Sequence, residues 1–415
     1  MKRIIVFLAL YLTLIFGVNA QTPDKFPAWT EGEMEIHHIN TGKGESVFCI
    51  LPDGTTLLID AGDIGHSKDP RNTTTVPDDS REAGEWIARY ILNCMKDNSE
   101  KALDYVLLTH FHSDHMGSYS ETYPKTKSGG DYRINGLTEV AEFIPFRKII
   151  DRDYPEYNYL VEQKSPLFKN YKRFVDWHVG NGDMMAERFV PGTNKQFVLL
   201  NNPEKYKDLF EIRNIVANGE VWTGVGSETR HHIPDLKDLK STGSINENNL
   251  SAGIRISYGA FDYFNGGDIT GAIHYNSPLW TDIETPVAKA LGPVEVCEVN
   301  HHAFRDAMNE FFIAATRPQV FVMQVWNVSH FGLDVLARMQ SQNLYPGERD
   351  IFATNTPQRS KDYVDQAKNM KRLKGEQGHV VVKVQPGGKS YYVFMLNDMN
   401  ENFEVRSVHG PYICR

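Results

Sequence analysis

His110-Phe111-His112-Ser113-Asp114-His115 places three imidazoles and a carboxylate on one short stretch of chain. With 15 His in 415 residues, a chance match to His-x-His-x-Asp-His is of order one in a thousand on composition alone. Side chains of these types offer lone pairs, and a divalent cation is the partner that uses them together. His110 and His112 can serve one ion, while Asp114 and His115, at the start of a helix, serve a second. A nitrogen-rich set with carboxylates suits zinc best, with manganese or iron as the other candidates.

Such a motif needs a rigid support. Tyr105-Val106-Leu107-Leu108-Thr109 is a short apolar run that predicts a buried strand, so the motif starts at a strand's carboxyl end, where loops converge without disturbing a core. Upstream, 34–39, 46–51 and 55–60 read as strands, and the Asp53-Gly54 between two apolar runs is a hairpin signal. Ala83, Trp86, Ile87, Tyr90 and Ile91 recur at helical spacing and predict a helix over 80–95. A stretch at about 119–245, rich in Tyr, Pro, Gly and Asn, reads as an irregular elaboration with helical pieces near 138–143 and 203–210. Beyond it, strands are expected at 252–258, 261–265, 294–299 and 320–324. Helices are expected at 283–290, 306–315 and 332–339, and a closing hairpin at 379–396. Strands interleaved with helices, opened and closed by hairpins, predict an α/β (α+β) fold in four αββα layers with an irregular insertion.

Two further positions belong to strand ends. Asp268 follows Gly266-Gly267, where glycine lets the backbone approach closely. His301 and His302 follow the strand at 294–299; neighbours on a strand point to opposite faces, so one is expected to face the site and the other to pack.

The stretches Ile39 to Ser46, Leu58 to Gly62, Leu107 to Gly117, Asn248-Asn249-Leu250-Ser251, Gly266-Gly267-Asp268-Ile269, Asn300-His301-His302-Ala303 and Val328 to Met339 resemble the metallo-β-lactamase superfamily. They are nearest to its extracytoplasmic branch, typified by the metallo-β-lactamase-like domain of competence DNA-uptake proteins and by phosphorylcholine esterase. The resemblance spans most of 34–396, and the middle stretch has no counterpart. It implies a metallo-β-lactamase sandwich with two metal ions, His110 and His112 on one and Asp114 and His115 on the other, bridged by Asp268. His301 is the best further ligand, His302 the register alternative, and His330 completes the site or contacts substrate. Asp60 is expected beside the ligands rather than among them. The chain departs from the true lactamases in lacking a convincing histidine between the motif and the bridging carboxylate; His178, His231, His232 and His274 have no strand-end setting. The implied reaction is hydrolysis by a metal-bridging hydroxide that Asp114 and Asp268 orient, with His330 as proton donor or oxyanion stabiliser. Arg305 is placed to meet a substrate anion. Phosphodiesterase activity on a small or mid-sized substrate is expected, with a lactone, thioester or β-lactam hydrolase as the alternative and a noncatalytic metal-containing module as a third reading.

Composition sets outer bounds. Hydrophobic residues make up 41% and charged residues 23%, which excludes a disordered or coiled-coil chain. Lys and Arg number 44 against 53 Asp and Glu, a formal charge of -9, so nucleic acid is not favoured as a partner. Protein partners are left open by the sequence. Lys2 and Arg3, the apolar run Ile4 to Phe16 and the small residues before Gln21 read as a signal peptide cleaved after Ala20, leaving 21–415 secreted or periplasmic. That run is shorter than the roughly 20 residues a span needs, so no stable membrane insertion is expected. Four scattered cysteines do not make a disulfide scaffold.

Overall fold

The computed structural model describes residues 23–96, 100–160, 163–239, 245–271, 278–363 and 371–415; the expected signal peptide and His274 lie outside them. In the strand Tyr105–Leu108 all four residues are buried. Tyr105 and Leu107 belong to one apolar cluster, Val106 and Leu108 to another. A strand buried on both faces must sit inside a stack of layers.

In chain order the strands are β1 (Met34–His38), β2 (Val47–Ile50), β3 (Thr56–Ile59), β4 (Tyr105–Leu108), β5 (Lys148–Asp151), β6 (Met185–Arg188), β7 (Phe210–Ala217), β8 (Glu220–Trp222), β9 (Thr229–His231), β10 (Gly253–Tyr258), β11 (Phe261–Asn265), β12 (Val296–Glu298), β13 (Val320–Met323), β14 (Asp350–Ala353), β15 (Leu373–Gly375), β16 (His379–Val384), β17 (Ser390–Leu396) and β18 (Val405–Ile413). Among the described residues they form two nine-stranded mixed sheets, β18-β17-β16-β1-β2-β3-β4-β5-β6 and β15-β14-β13-β12-β11-β10-β7-β8-β9. Between the sheets, Ile36, Leu57 and Leu107 of the first pack with Ile254, Val296 and Val322 of the second. Helices Ala83–Cys94, Leu137–Phe143 and Pro166–Asn181 bury Ile87, Ile91, Val140 and Phe174 against the outer face of the first sheet. Helices Glu284–Leu291, Glu310–Thr316 and Leu333–Met339 bury Val287, Phe312 and Leu336 against the second. The expected four-layer αββα sandwich is what the chain forms.

Residues 119–245 are more regular than their composition suggests. They supply β5 and β6 at the edge of the first sheet, β7 to β9 of the second, and the helix Pro166–Asn181. That helix starts with Ser165 accepting from the Phe168 amide and Pro166 in its first turn. Its own Tyr171 and Phe174 are core residues, packed in one cluster with Tyr157. All four cysteines are free, Cys49 and Cys297 in the core. No helix of the described residues is long and apolar enough to cross a membrane.

The register brings four strand ends together. β3 and β4 run parallel with Ile59 opposite Leu107, and β11 and β12 run parallel in the facing sheet. Asp60, His110, Asp268 and Asn300 lie just past those ends.

Glu139, on the helix Leu137–Phe143, is buried against Gly84 with Oε2 lacking a hydrogen-bond partner. Burial, reinforced by Asp63, Glu82 and Glu85, pushes its pKa up to about 8. The folded chain therefore holds this proton more tightly than the unfolded one, so the associated stability is present below the usual glutamate pKa and is lost as pH rises through 8. Glu139→Gln should match the parent at pH 4 and exceed it at pH 8, giving a flatter pH profile of Tm. Parallel profiles for the two proteins would contradict the assignment.

Candidate metal centre

Asp60 leaves β3 with φ at 57°, a left-handed turn that aims its carboxylate at the end of β4. Oδ1 accepts from the Thr109 amide at 2.8 Å, and Oδ2 accepts from Thr109 Oγ1 at 2.6 Å and from His115 Nδ1 at 2.8 Å. With its proton committed to Asp60, Thr109 Oγ1 accepts from His110 Nδ1 at 3.1 Å. One carboxylate therefore orients His115 directly and His110 through a hydroxyl, leaving Nε2 of each ring free for an ion. The helix Ser113–Met116 carrying Asp114 and His115 is docked by its backbone: Glu45 and Ala61 amides donate to the Asp114 and His115 carbonyls at 2.8 and 2.9 Å. A Cβ on Gly62 would lie 1.8 Å from the Asp114 carbonyl oxygen, so glycine is needed there.

Asp268 enters from the other sheet, 1% exposed. Gly267 before it has φ +54°, and a Cβ there would meet Thr109 Cβ at 2.9 Å. The Asp268 carboxylate is divided between two groups of imidazoles. Oδ2 lies 3.6 Å from His110 Nε2 and 3.8 Å from His301 Nε2. Oδ1 lies 3.2 Å from His115 Nε2 and 3.5 Å from His302 Nε2. His112 joins the first group through Nδ1, 3.1 Å from His110 Nε2. Asp114 joins the second, with Oδ2 at 3.2 Å from His302 Nε2 and 3.8 Å from His115 Nε2.

His301 and His302 depart from the strand-pleat expectation. β12 ends at Glu298, and His301, His302 and Ala303 have φ of 46°, 53° and 63°. This left-handed turn replaces the pleat and brings both rings to Asp268, one at each oxygen. His301 Nδ1 donates to Asp306 Oδ1 at 2.6 Å and His302 Nδ1 to the Gln324 carbonyl at 3.0 Å. Their Nε2 atoms accept from Asn248 Nδ2 at 3.0 Å and from the Trp326 indole at 3.4 Å, so these are the lone pairs, and an ion taking them would displace both bonds.

His330 stands behind these rings, stacked on His302 at 4.8 Å, with Nδ1 accepting from the Trp326 amide. Arg305 is exposed, its guanidinium 5.5 Å from the Phe304 ring. Elsewhere His37 and His38 lie in β1, where His38 meets Tyr263; His178 pairs with Tyr132 and Asp183, and His231 with Tyr159. His232 is half-buried and held below the usual imidazole pKa by burial, then by Arg230.

Sequence reasoning passed over Glu45. Its carboxylate is 3.5 Å from His302 Nδ1. Ligand atoms of Glu45, His115, Asp268 and His302 all lie within 4.8 Å of one another, as do those of His110, His112 and Asp268. Glu45 sits in a stretch that carries the family resemblance, but its place beside His302 comes from packing between the sheets.

The donor set fits a cation. His115 Nε2, Asp268 Oδ1 and Glu45 Oε1 are buried without a hydrogen-bond partner, an arrangement that native interiors avoid unless something else satisfies the atoms. Burial, then His115, holds His110 well below the usual imidazole pKa, so it is a neutral donor. Burial alone would raise Asp268, yet His115, His302 and His301 outweigh it and keep the carboxylate ionised. For His115 burial is likewise outweighed, by Asp268, Asp114 and Asp60, and the pKa rises. Imidazoles that would give up their protons to an ion around shared anionic oxygens are the ligand chemistry of divalent transition metals.

No family model and no curated protein matches the chain. Among solved structures it is similar to a metallo-β-lactamase from Hirschia baltica, at 12% identity and a TM-score of 0.24, over 65% of this chain and 82% of that one. The chain's own layers and side chains define its class: an αββα protein with a buried His, Asp and Glu centre able to hold metal ions.

Asp60→Asn keeps the shape of the hub but removes its charge. Metal affinity should fall about 10- to 100-fold in chelator competition, with the circular dichroism spectrum unchanged; unaltered affinity would show that Asp60 does not orient the donors.

Proposed function

We propose that this chain is an exported metal-dependent hydrolase that holds two divalent ions, zinc by its donor set, and cleaves phosphodiesters in a small or mid-sized substrate. The observation that carries the reading is the division of Asp268 between two imidazole groups. His110, His112 and His301 cluster about Oδ2 and would hold one ion; His115, His302 and Asp114 cluster about Oδ1 and would hold the other, with Glu45 beside them. His301 thus supplies the histidine that the sequence lacks between the motif and Asp268. Bound divalent ions lower the pKa of a water between them and stabilise charge on a phosphoryl oxygen.

The chain's own groups do the rest. Asp114 and Asp268 accept from the attacking water and fix its direction. His330, with Nδ1 accepting from the Trp326 amide and burial keeping the ring neutral, carries its one proton on Nε2, from which it would hydrogen-bond charge developing on a substrate oxygen. Arg305 offers an exposed cation to a substrate anion. The phosphodiester preference is supported by the sequence resemblance to the competence-protein and phosphorylcholine esterase branch, and export by the Lys2 to Ala20 pattern.

Metal analysis of the purified protein should give about two ions per chain, with turnover of bis(p-nitrophenyl) phosphate exceeding that of a chromogenic lactam and ester panel. Asp268→Ala should lose both metal and turnover, whereas His301→Ala and His302→Ala should each lose one ion. Full metal content and activity in Asp268→Ala would overturn the site, and turnover of the lactam or ester panel alone would overturn the substrate class.

A further inference from the structure

Arg152 directly follows β5 and its side chain is fully buried. Nε and Nη2 form a bidentate pair with Glu247, at 2.7 Å to Oε1 and 2.9 Å to Oε2. Nη1 donates to the Tyr159 carbonyl at 3.1 Å and to Asn218 Oδ1 at 3.0 Å. The guanidinium carbon lies 4.5 Å from the centre of the Phe111 ring. Glu247 in turn accepts from the Phe111 amide at 3.1 Å. Phe111 is the residue between His110 and His112, and Asn248, next to Glu247, reaches His301 Nε2.

From these contacts we infer that Arg152 and Glu247 form a clamp that positions the His110, His112 and His301 group, and that this is a function of the segment 119–245. The inference rests on the metal reading above. One arm of the clamp fixes the backbone and ring of Phe111, which sets where the two flanking imidazoles leave the chain. The other arm fixes the short turn Glu247–Leu250, which places Asn248 beside His301 Nε2, where its amide holds the ring in place on a lone pair that an ion would take over. The second group has separate supports: Asp60 for His115, the Gln324 carbonyl for His302, and the backbone docking at Glu45 and Ala61 for the helix carrying Asp114. The clamp therefore acts on one ion and not on its neighbour.

The chemistry of the pair favours direction over stability. A buried ion pair gains little over apolar residues of the same volume, because desolvation offsets the attraction. What an apolar pair cannot supply is a planar fork that accepts only one orientation of its carboxylate. Arg152 uses that fork on Glu247, its third nitrogen on the neighbouring segment and its flat face on Phe111, so three elements are held at fixed angles around the first group.

Two variants test the clamp. Arg152→Lys keeps the charge and loses the fork; the double variant Arg152→Met with Glu247→Met removes both charges and avoids leaving one unpaired. The readout is stepwise divalent-metal affinity by competition with a chromogenic chelator, together with the visible spectrum of the cobalt-loaded protein and Tm. Both variants should weaken one ion about 10- to 100-fold, leave the other within about twofold, and alter one of the two cobalt environments. The double variant should keep the parental Tm to within a few degrees. Parental affinity for both ions in the folded double variant would overturn the clamp. So would an equal loss at both ions that tracks a fall in Tm, because a purely structural role predicts that result. If the parent chain takes up no divalent ion, the metal reading itself falls and carries the inference with it, an outcome the parent titration alone identifies.

Discussion

Imidazoles can share a buried pocket around an ion only when each has its ring proton tied to an acceptor outside that pocket, because a neutral ring has one lone pair and one N–H to place. Four rings here meet that condition. His115 and His110 are pinned by Asp60, directly and through Thr109; His301 is pinned by Asp306 and His302 by the Gln324 carbonyl. The acceptors come from both sheets, since Asp60 follows β3 and Gln324 follows β13. Orientation of the donors therefore requires the sandwich to be assembled with its strand ends in register.

Features confined to one stretch of chain were legible from the sequence. The motif at 110–115, the buried strand before it and the carboxylate after Gly266-Gly267 all depend on neighbours in sequence, and each lies where it was expected. His301 and His302 were located, but their directions were not, because pleat alternation ceases to apply in a run of left-handed residues that no glycine announces. The strands β5 and β6 escaped notice because each is four residues long in a region dominated by turn-forming residues. Glu45 and the Arg152–Glu247 clamp were invisible for a different reason. The clamp's partners are 95 residues apart, and neither residue type carries a local signature of pairing.

Magnitudes explain why the centre is a place of strain as well as of ligands. Non-glycine residues in the left-handed region cost about 1 to 3 kcal/mol each, and three occur in succession at 301–303. The turn is held by backbone bonds from the His301, Phe304 and Gly332 amides to Gly267, His301 and Ala303 carbonyls, at 3.2, 2.7 and 2.9 Å. At about 1 kcal/mol net for each, these bonds are comparable to the lower end of that strain, and Ala303 is also packed into the helix-side core. Such a conformation persists where surrounding structure leaves no alternative, and its effect here is to put adjacent side chains on the two oxygens of Asp268.

The buried carboxylates push in the same direction. Asp60, Asp268 and Glu45 are each no more than 2% exposed, and Asp114 is 13% exposed. Burial pushes the Glu45 carboxyl well up and Asp60 up as well, while the crowded carboxylates raise His115 and the imidazoles hold Asp268 down, so the protons of the cluster are shared among its own groups. A divalent cation that replaced those protons would bind the folded chain in preference to the unfolded one, and its affinity would add to folding stability by mass action. Because its donors arrive from strand ends in both sheets, that added stability acts across the interface between the sheets. The same geometry that gathers the donors around Asp268 would make a bound ion a tie between the two halves of the sandwich.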